Sequence, residues 1–420
     1  MSVAKPIRSS CVERFLRYVT FDTQSDESSE TFPSTAKQLD LLRHLMEELR
    51  ALGLADAAMD EHGYVMATIP STTRKKNVPM VGFIAHVDTS PEMPGAGVKP
   101  IVHEKYDGRD LVLPDDPSAV IRLAENPALR EQMGNDIITA SGATLLGADN
   151  KAGVAEIVGA AEFLMANPGI AHGPIRLAFT PDEEVGNGTK YFDVAGFGAS
   201  AAYTLDGETL GEIEIETFSA DSMTIAFQGF NTHPGYGKDR LVNTIKVAAD
   251  FIGRLPKDRL SPETTAGYEG YVHPYVVQAA VDRTSVKFLI RDFATPGLKE
   301  KEAFLEALAR ETIADWPRAS VEIKVEESYR NMKEVLDRYP EVVENAREAV
   351  RRAGLEPRMH PIRGGTDGSR LSFMGIPTPN LFAGEHNFHS RLEWVSVQDM
   401  HKAVEVIVHL SRIFEEKAPA

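Results

Sequence analysis

The sequence predicts an α/β protein: a discontinuous α/β sandwich domain interrupted by a smaller α+β unit. Three observations predict it. Short, nearly continuous apolar runs at 80–87, 175–180 and 201–205, with a Pro-interrupted fourth at 376–383, read as strands buried on both faces of a parallel sheet. Helical periodicities lie between them, which places helices on both faces of that sheet. From about residue 213 the pattern changes to polar and apolar alternation, as in half-exposed antiparallel strands. At 420 residues the chain also exceeds the ~250 to 300 at which single cores split.

The elements follow in order. Thr35 and Gln38 have the spacing of a capping box and precede an apolar stripe of Leu39, Leu42, Leu45, Met46 and Leu49, closed by Gly53. A crossover helix over 151–165 presents Val154, Ile157, Val158, Ala161 and Leu164, and Asn167, Pro168 and Gly169 stop it. Alternation at 212–227 and 321–325, a strand at 285–293, and helices at 242–255 and 298–313 form the smaller unit. The expected division is 1–216 with 330–420 for the larger domain and 217–329 for the insert. Helices near 341–353 and at the carboxyl end, carrying Met400, Ala403, Val404, Ile407, Val408 and Phe414, complete the larger one.

Composition narrows function. Sixty-two acidic residues against 45 Lys and Arg give a formal charge of -17, which repels phosphate backbones and anionic membranes, so no nucleic-acid or membrane partner is expected. The single cysteine, Cys11, excludes an internal disulfide and a thiolate cluster, leaving His and carboxylates as metal ligands. No run of ~18 apolar residues is present and MSVAKPIRSS lacks a secretory core, so the expected location is the cytosol.

Open α/β sheets bind ligands beyond the carboxyl ends of their strands. Here those ends are rich in polar groups. His86 and Asp88 stand two apart, where a carboxylate can orient an imidazole. Asp182, Glu183 and Glu184 follow the second run, and adjacent acids repel unless a cation or shared proton compensates. Asp206 ends the third, His386 and His389 follow the fourth, and Asp149 precedes the crossover helix. Taken singly, His86 reads equally as a core histidine, Asp149 as a helix cap, the glutamates as a solvated pair and Asp206 as turn chemistry. Together at the ends of one sheet, His86, Asp149, Glu184, Asp206 and His389 suit zinc, manganese or cobalt, with a carboxylate bridging two ions.

The motifs AHVDTSP at 85–91, LLGADNKAG at 145–153, FTPDEEVG at 179–186, YTLDG at 203–207, NTHPG at 231–235 and PIRGGTDGSRLSFMG at 361–375 resemble the M20 family of dinuclear zinc metallopeptidases, and within it the tripeptide aminopeptidases. The resemblance spans nearly the whole chain. It implies two Zn2+ per chain, or other divalent transition metals, with His86 and Asp206 on one, Glu184 and His389 on the other, and Asp149 between them. It further implies Asp88 as the acid behind His86, Glu183 as general base, and a lid carrying His233 as donor to the oxyanion. Arg291 and Arg363 are the candidates for holding a peptide carboxylate, with ordinary ion pairing the competing reading for both. The implied reaction removes the amino-terminal residue from short peptides, tripeptides above all. Other M20 chemistry (amidase, deacylase or carboxypeptidase) and a non-catalytic peptide-binding protein are the alternatives, and homodimers are common among relatives.

Three departures stand out. Asn150 follows the bridging position where many relatives carry a second aspartate. The last ligand lies in GEHNFHSRLEW, where alignment through Asn387, Phe388 and Glu393 selects His389 and leaves His386 as its neighbouring alternative. The segment 107–136 matches the family least, so substrate preference could differ there.

Overall fold

The structure, a computed structural model, describes Ile7 and residues 9–419. Two compact units divide the chain: Met1–Ile215 with Val335–His360 and Thr366–Ala420, and Glu216–Glu334 with Pro361–Gly365.

The first unit is built on an eight-stranded sheet in the order Ala58–Met59, Val65–Ile69, Ile175–Thr180, Val81–His86, Ala201–Gly207, Asn380–Phe382, Glu212–Thr217, Arg358–Ile362. Its middle is parallel, Val81–His86 pairing with both Ile175–Thr180 and Ala201–Gly207. Every residue of Val81–His86 is buried, which accounts for its unbroken apolar run. The sheet is mixed, because Val65–Ile69 and Glu212–Thr217 pair antiparallel. Val65–Ile69 alternates buried and half-buried residues, the mark of a strand with one wetter face.

The Ala148–Ala166 helix packs on this sheet and against the Cys11–Tyr18 and Val397–Lys417 helices, so its apolar side chains are wanted on nearly every face. Its small residues set how close it comes. A Cβ on Gly153 would lie 2.0 Å from the carbonyl oxygen of Leu205, so only glycine permits the first turn to rest against the end of the Ala201–Gly207 strand. That contact brings the helix start, with Asp149, beside the strand end, with Asp206.

The capping box expected at Thr35 and Gln38 does not form. The helix begins at Gln38 with Lys37 before it and no side-chain cap. The Gln38 amide is instead drawn to Asp182, donating to its carboxylate at 2.6 Å and accepting from its backbone N–H at 3.1 Å. Small strands that the sequence did not signal, Ile101–His103, Ile137–Thr139, Glu385–His386 and Trp394–Ser396, form a separate four-stranded sheet.

The second unit is a four-stranded antiparallel sheet in the order Tyr271–Ala279, Arg283–Asp292, Ser219–Gln228, Ser320–Tyr329. One face buries Met223, Ile225, Phe227, Val286, Phe288 and Ile290 against the Thr244–Gly253 and Thr295–Ala314 helices.

Gly153→Ala tests the close approach. Overpacking predicts a loss of about 1–3 kcal/mol in urea unfolding. Gly169→Ala, with nothing within 4 Å, is the control expected to stay within about 0.5 kcal/mol of wild type. Equal stability of the two variants would contradict the packing.

Candidate metal centre

Two groups of metal-competent atoms meet in the first unit, His86 with Asp149 and Asp206, and Asp149 with Glu184 and His389, the atoms of each lying within 4.8 Å of one another. Asp149 belongs to both. Its Oδ1 is 3.0 Å from His86 Nε2, and its Oδ2 is 3.3 Å from His389 Nε2. His86 Nε2 lies 3.3 Å from Asp206, and His389 Nε2 lies 2.8 Å from Glu184 Oε2. One nitrogen and two carboxylate oxygens on each side is a donor set that fits zinc and its borderline neighbours. Glu184 Oε1 is buried with no hydrogen-bond partner among the described residues, so a lone pair there is free for a cation.

Burial and charge oppose each other across this cluster. Burial lowers the His86 and His389 imidazoles, but the surrounding carboxylates win, holding His86 well above its usual range and His389 up to about 11. Burial raises Asp149 too, yet hydrogen bonds from His389 and His86 keep it below the ordinary carboxylate range. Glu184 is pushed up to about 8 by burial and then by Asp149. The protein carries too much negative charge here to be comfortable alone, and protons on histidine supply what a cation would.

The backbone that aims these groups is held by three further carboxylates. Asp88 is fully buried. Its Oδ1 lies 3.3 Å from His86 Nδ1 and accepts the Glu183 N–H at 3.0 Å, and its Oδ2 accepts the Glu184 N–H at 3.2 Å. Asp88 therefore sets the imidazole and the loop of both glutamates at once. Asp182, in the left-handed region at φ 59, accepts from the Ser34 N–H at 2.6 Å and from Gln38, anchoring the same loop from below. Glu393 accepts the Leu146 and Gly147 N–H groups, both at 2.7 Å, and the Asp149 N–H at 2.9 Å. Burial raises Glu393 to about 7 even against those three donors. Sequence reasoning did not assign positioning roles to Asp182 and Glu393. The available signal was a charged residue inside an otherwise apolar run, as Glu393 is before Trp394 and Val395.

Glu183 leads into the cluster without joining either ligand group. Burial, then Asp367, Asp206 and Glu184, hold its carboxyl well above the usual range, with His86 opposing. Asp367 is itself raised to about 6 by burial. Asn150 is buried, and neither its amide oxygen nor its nitrogen has a hydrogen-bond partner among the described residues. His386 is in neither group: its ring stacks on Trp394 at 4.1 Å, away from the role left open for it, and burial lowers it to about 4.

The remaining candidates lie in the second unit. His233 is exposed, caps the short Pro234–Tyr236 turn, and its Nδ1 accepts the Gly235 N–H at 3.2 Å. Arg291 lies 5.5 Å over the Tyr329 ring and bonds its neighbour's carbonyl. The guanidinium of Arg363 is occupied: it donates to Gly267 O at 2.6 Å, Glu269 O at 2.9 Å and Thr265 Oγ1 at 3.0 Å, and stacks 5.1 Å over Phe218.

Two N/O donor sets sharing one aspartate at the edge of an α/β sheet are suited to hold two divalent cations. Residues 139–412 match peptidase family M20/M25/M40, and the chain belongs to that family. Among its curated relatives, peptidase T of Clostridium botulinum strain 657 is 47% identical over 406 residues, covering 97% of this chain and 99% of the relative. Peptidase T of Geobacillus sp. WCH70 is 46% identical over 98% of this chain and its own full length. The fold is shared with a tripeptidase from Staphylococcus aureus (TM-score 0.75, 22% identity, covering 97% of this chain and 98% of that one). It is shared too with a Bacillus subtilis protein described as a dinuclear metal-binding peptidase (TM-score 0.63, 16% identity, 97% and 98% covered).

The buried His386 makes stability depend on pH. Its folded pKa of about 4 lies below the unfolded ~6.5, so its stabilising contribution is complete above ~6.5 and is lost as pH falls toward 4. Between pH 7 and 5 that loss is about 2 kcal/mol. His386→Phe should flatten this part of the profile in urea unfolding at the two pH values. An unchanged slope would contradict the assignment.

Proposed function

We propose that this chain is a dinuclear metallo-aminopeptidase that releases the amino-terminal residue of short peptides, with tripeptides as its main substrates. The observation that carries the reading is Asp149, whose two oxygens face two separate nitrogen-and-carboxylate sets. His86 and Asp206 would hold one divalent cation, Glu184 and His389 the other, and Asp149 both. When bound, such a pair acidifies water and polarises the scissile carbonyl.

The chain's own residues divide the remaining work. His86 Nδ1 donates to the main-chain carbonyl of Asp88 at 3.1 Å, with the Asp88 carboxylate 3.3 Å away, which fixes the tautomer that leaves the Nε2 lone pair free to ligate a cation together with Asp149 and Asp206. Glu183 takes a proton from the attacking water and returns it to the leaving amine. A carboxyl whose proton affinity is raised by burial and by neighbouring acids accepts a proton more readily than an ordinary carboxylate, which suits it to both steps. His233 is the candidate hydrogen-bond donor to the oxyanion, on the strength of its NTHPG motif. Arg291 is the preferred candidate for a substrate carboxylate, because the Arg363 guanidinium already serves the 265–269 loop.

The tripeptide preference rests on the peptidase T relatives. Zinc, as the ion, rests on the donor set and on the family. A cytosolic location is supported by the single cysteine and by the acidic composition. No helix among the described residues is long and apolar enough to cross a membrane.

Glu183→Ala separates base from ligand. Metal content should match wild type, while kcat on a free tripeptide falls by about 10²–10⁴-fold. Full activity in the variant contradicts the role, and preferred cleavage of the N-acetylated tripeptide by wild type would contradict the aminopeptidase reading.

A further inference from the structure

The two imidazoles of the centre are supported unequally. In each, Nε2 faces the carboxylates of the donor sets, which leaves Nδ1 on the other edge of the ring. A neutral imidazole that ligates through Nε2 carries its proton on Nδ1, and an acceptor there fixes the ring. His86 finds that acceptor inside the protein, in the Asp88 carbonyl at 3.1 Å and the fully buried Asp88 carboxylate at 3.3 Å. The acid facing His389 is Glu92, whose Oε2 lies 3.6 Å from Nδ1 and whose side chain is 68% exposed. A small rotation of so exposed a side chain closes that gap to a hydrogen bond.

The backbone that carries Glu92 is fixed even though its side chain is not buried. The Gln24 amide reaches the carbonyls of Ser90, Pro91 and Met93 at 3.3, 3.3 and 2.7 Å, on both sides of Glu92. The Glu92 N–H donates to Ser90 Oγ at 3.3 Å, and the Leu145 N–H donates to Pro94 O at 3.1 Å, tying the loop to the segment that leads into Asp149. So clamped, the loop has little freedom to swing its acid away from His389. The imidazole has reason to be held from this side, because its backbone lies in the left-handed region at φ 55, as does that of Asn387 at φ 60. We propose that Glu92 is the positioning residue for His389: it accepts the Nδ1 proton and so aims Nε2 at the cation shared with Glu184 and Asp149. The inference rests on the dinuclear reading of the centre. It sets the two sides apart, one orienting acid being sealed within the fold and the other open to solvent.

The test measures zinc affinity on the full-length protein. Zinc is titrated against a competing chelator into metal-stripped wild type, Glu92→Ala, Glu92→Gln, His389→Ala and the double variant Glu92→Ala with His389→Ala. Wild type should take up two ions. Glu92→Ala should weaken one of them by at least about tenfold and leave the other within about twofold, and Glu92→Gln, which keeps an acceptor oxygen, should recover most of the loss. On the His389→Ala background, Glu92→Ala should change nothing further, because the residue acts through the missing imidazole. Wild-type affinity for both ions in Glu92→Ala, weakening of both, no recovery in Glu92→Gln, or an undiminished loss on the His389→Ala background would each overturn the inference and leave the dinuclear reading standing. A raised KM with untouched metal affinity would overturn it too, since Glu92 would then serve the substrate. A single ion per wild-type chain would overturn the dinuclear reading, and the inference with it.

Discussion

The centre depends on one carboxylate serving two sides. Asp149 presents Oδ1 to His86 and Oδ2 to His389, and neither donor set is complete without it. Holding it there takes a helix start pressed against a strand end, which Gly153 permits, and a loop whose N–H groups converge on Glu393. The other side of the centre is fixed by the same kind of device: Asp88 gathers His86 and the Glu183–Glu184 backbone. Buried carboxylates bonded to backbone amides thus place the carboxylates and imidazoles that face the cations.

This arrangement changes the meaning of the chain's acidity. The formal charge of -17 counts every acid as ionised. Burial holds Glu156, Glu214 and Glu385 well above the ordinary carboxylate range, so the fold disfavours their ionisation and the formal count overstates their charge. Around the centre itself stand Asp88, Asp149, Glu183, Glu184 and Asp206, five carboxylates whose charge two dications would offset by four. Only the acids left over act as a solvating surface.

Much of this was legible in the sequence because buried parallel strands write themselves as apolar runs, and their polar ends then stand out. His86, Asp149, Glu184, Asp206 and His389 were all singled out that way, and the structure brings them together. What the sequence concealed was side-chain recruitment over long separations. Gln38 had the form of a cap, but Asp182, 144 residues away, claims its amide. Glu393 reaches back to residues 146–149; its place beside Trp394 and Val395 marks it as buried but does not name that distant partner. The segment Pro361–Gly365, which returns to the second unit, is too short for any periodicity. The motif around Asn387, Phe388 and Glu393 favoured His389 over His386, and packing separates them: one stacks on Trp394 and the other faces Glu184.

The most direct test of a shared aspartate is metal stoichiometry. Metal-stripped protein titrated with zinc, with bound metal counted by mass spectrometry, should take up two ions per chain. Asp149→Asn should weaken both by more than about tenfold, because one side chain serves both sets. A single ion per wild-type chain, or a variant that still binds two with unchanged affinity, would contradict the account.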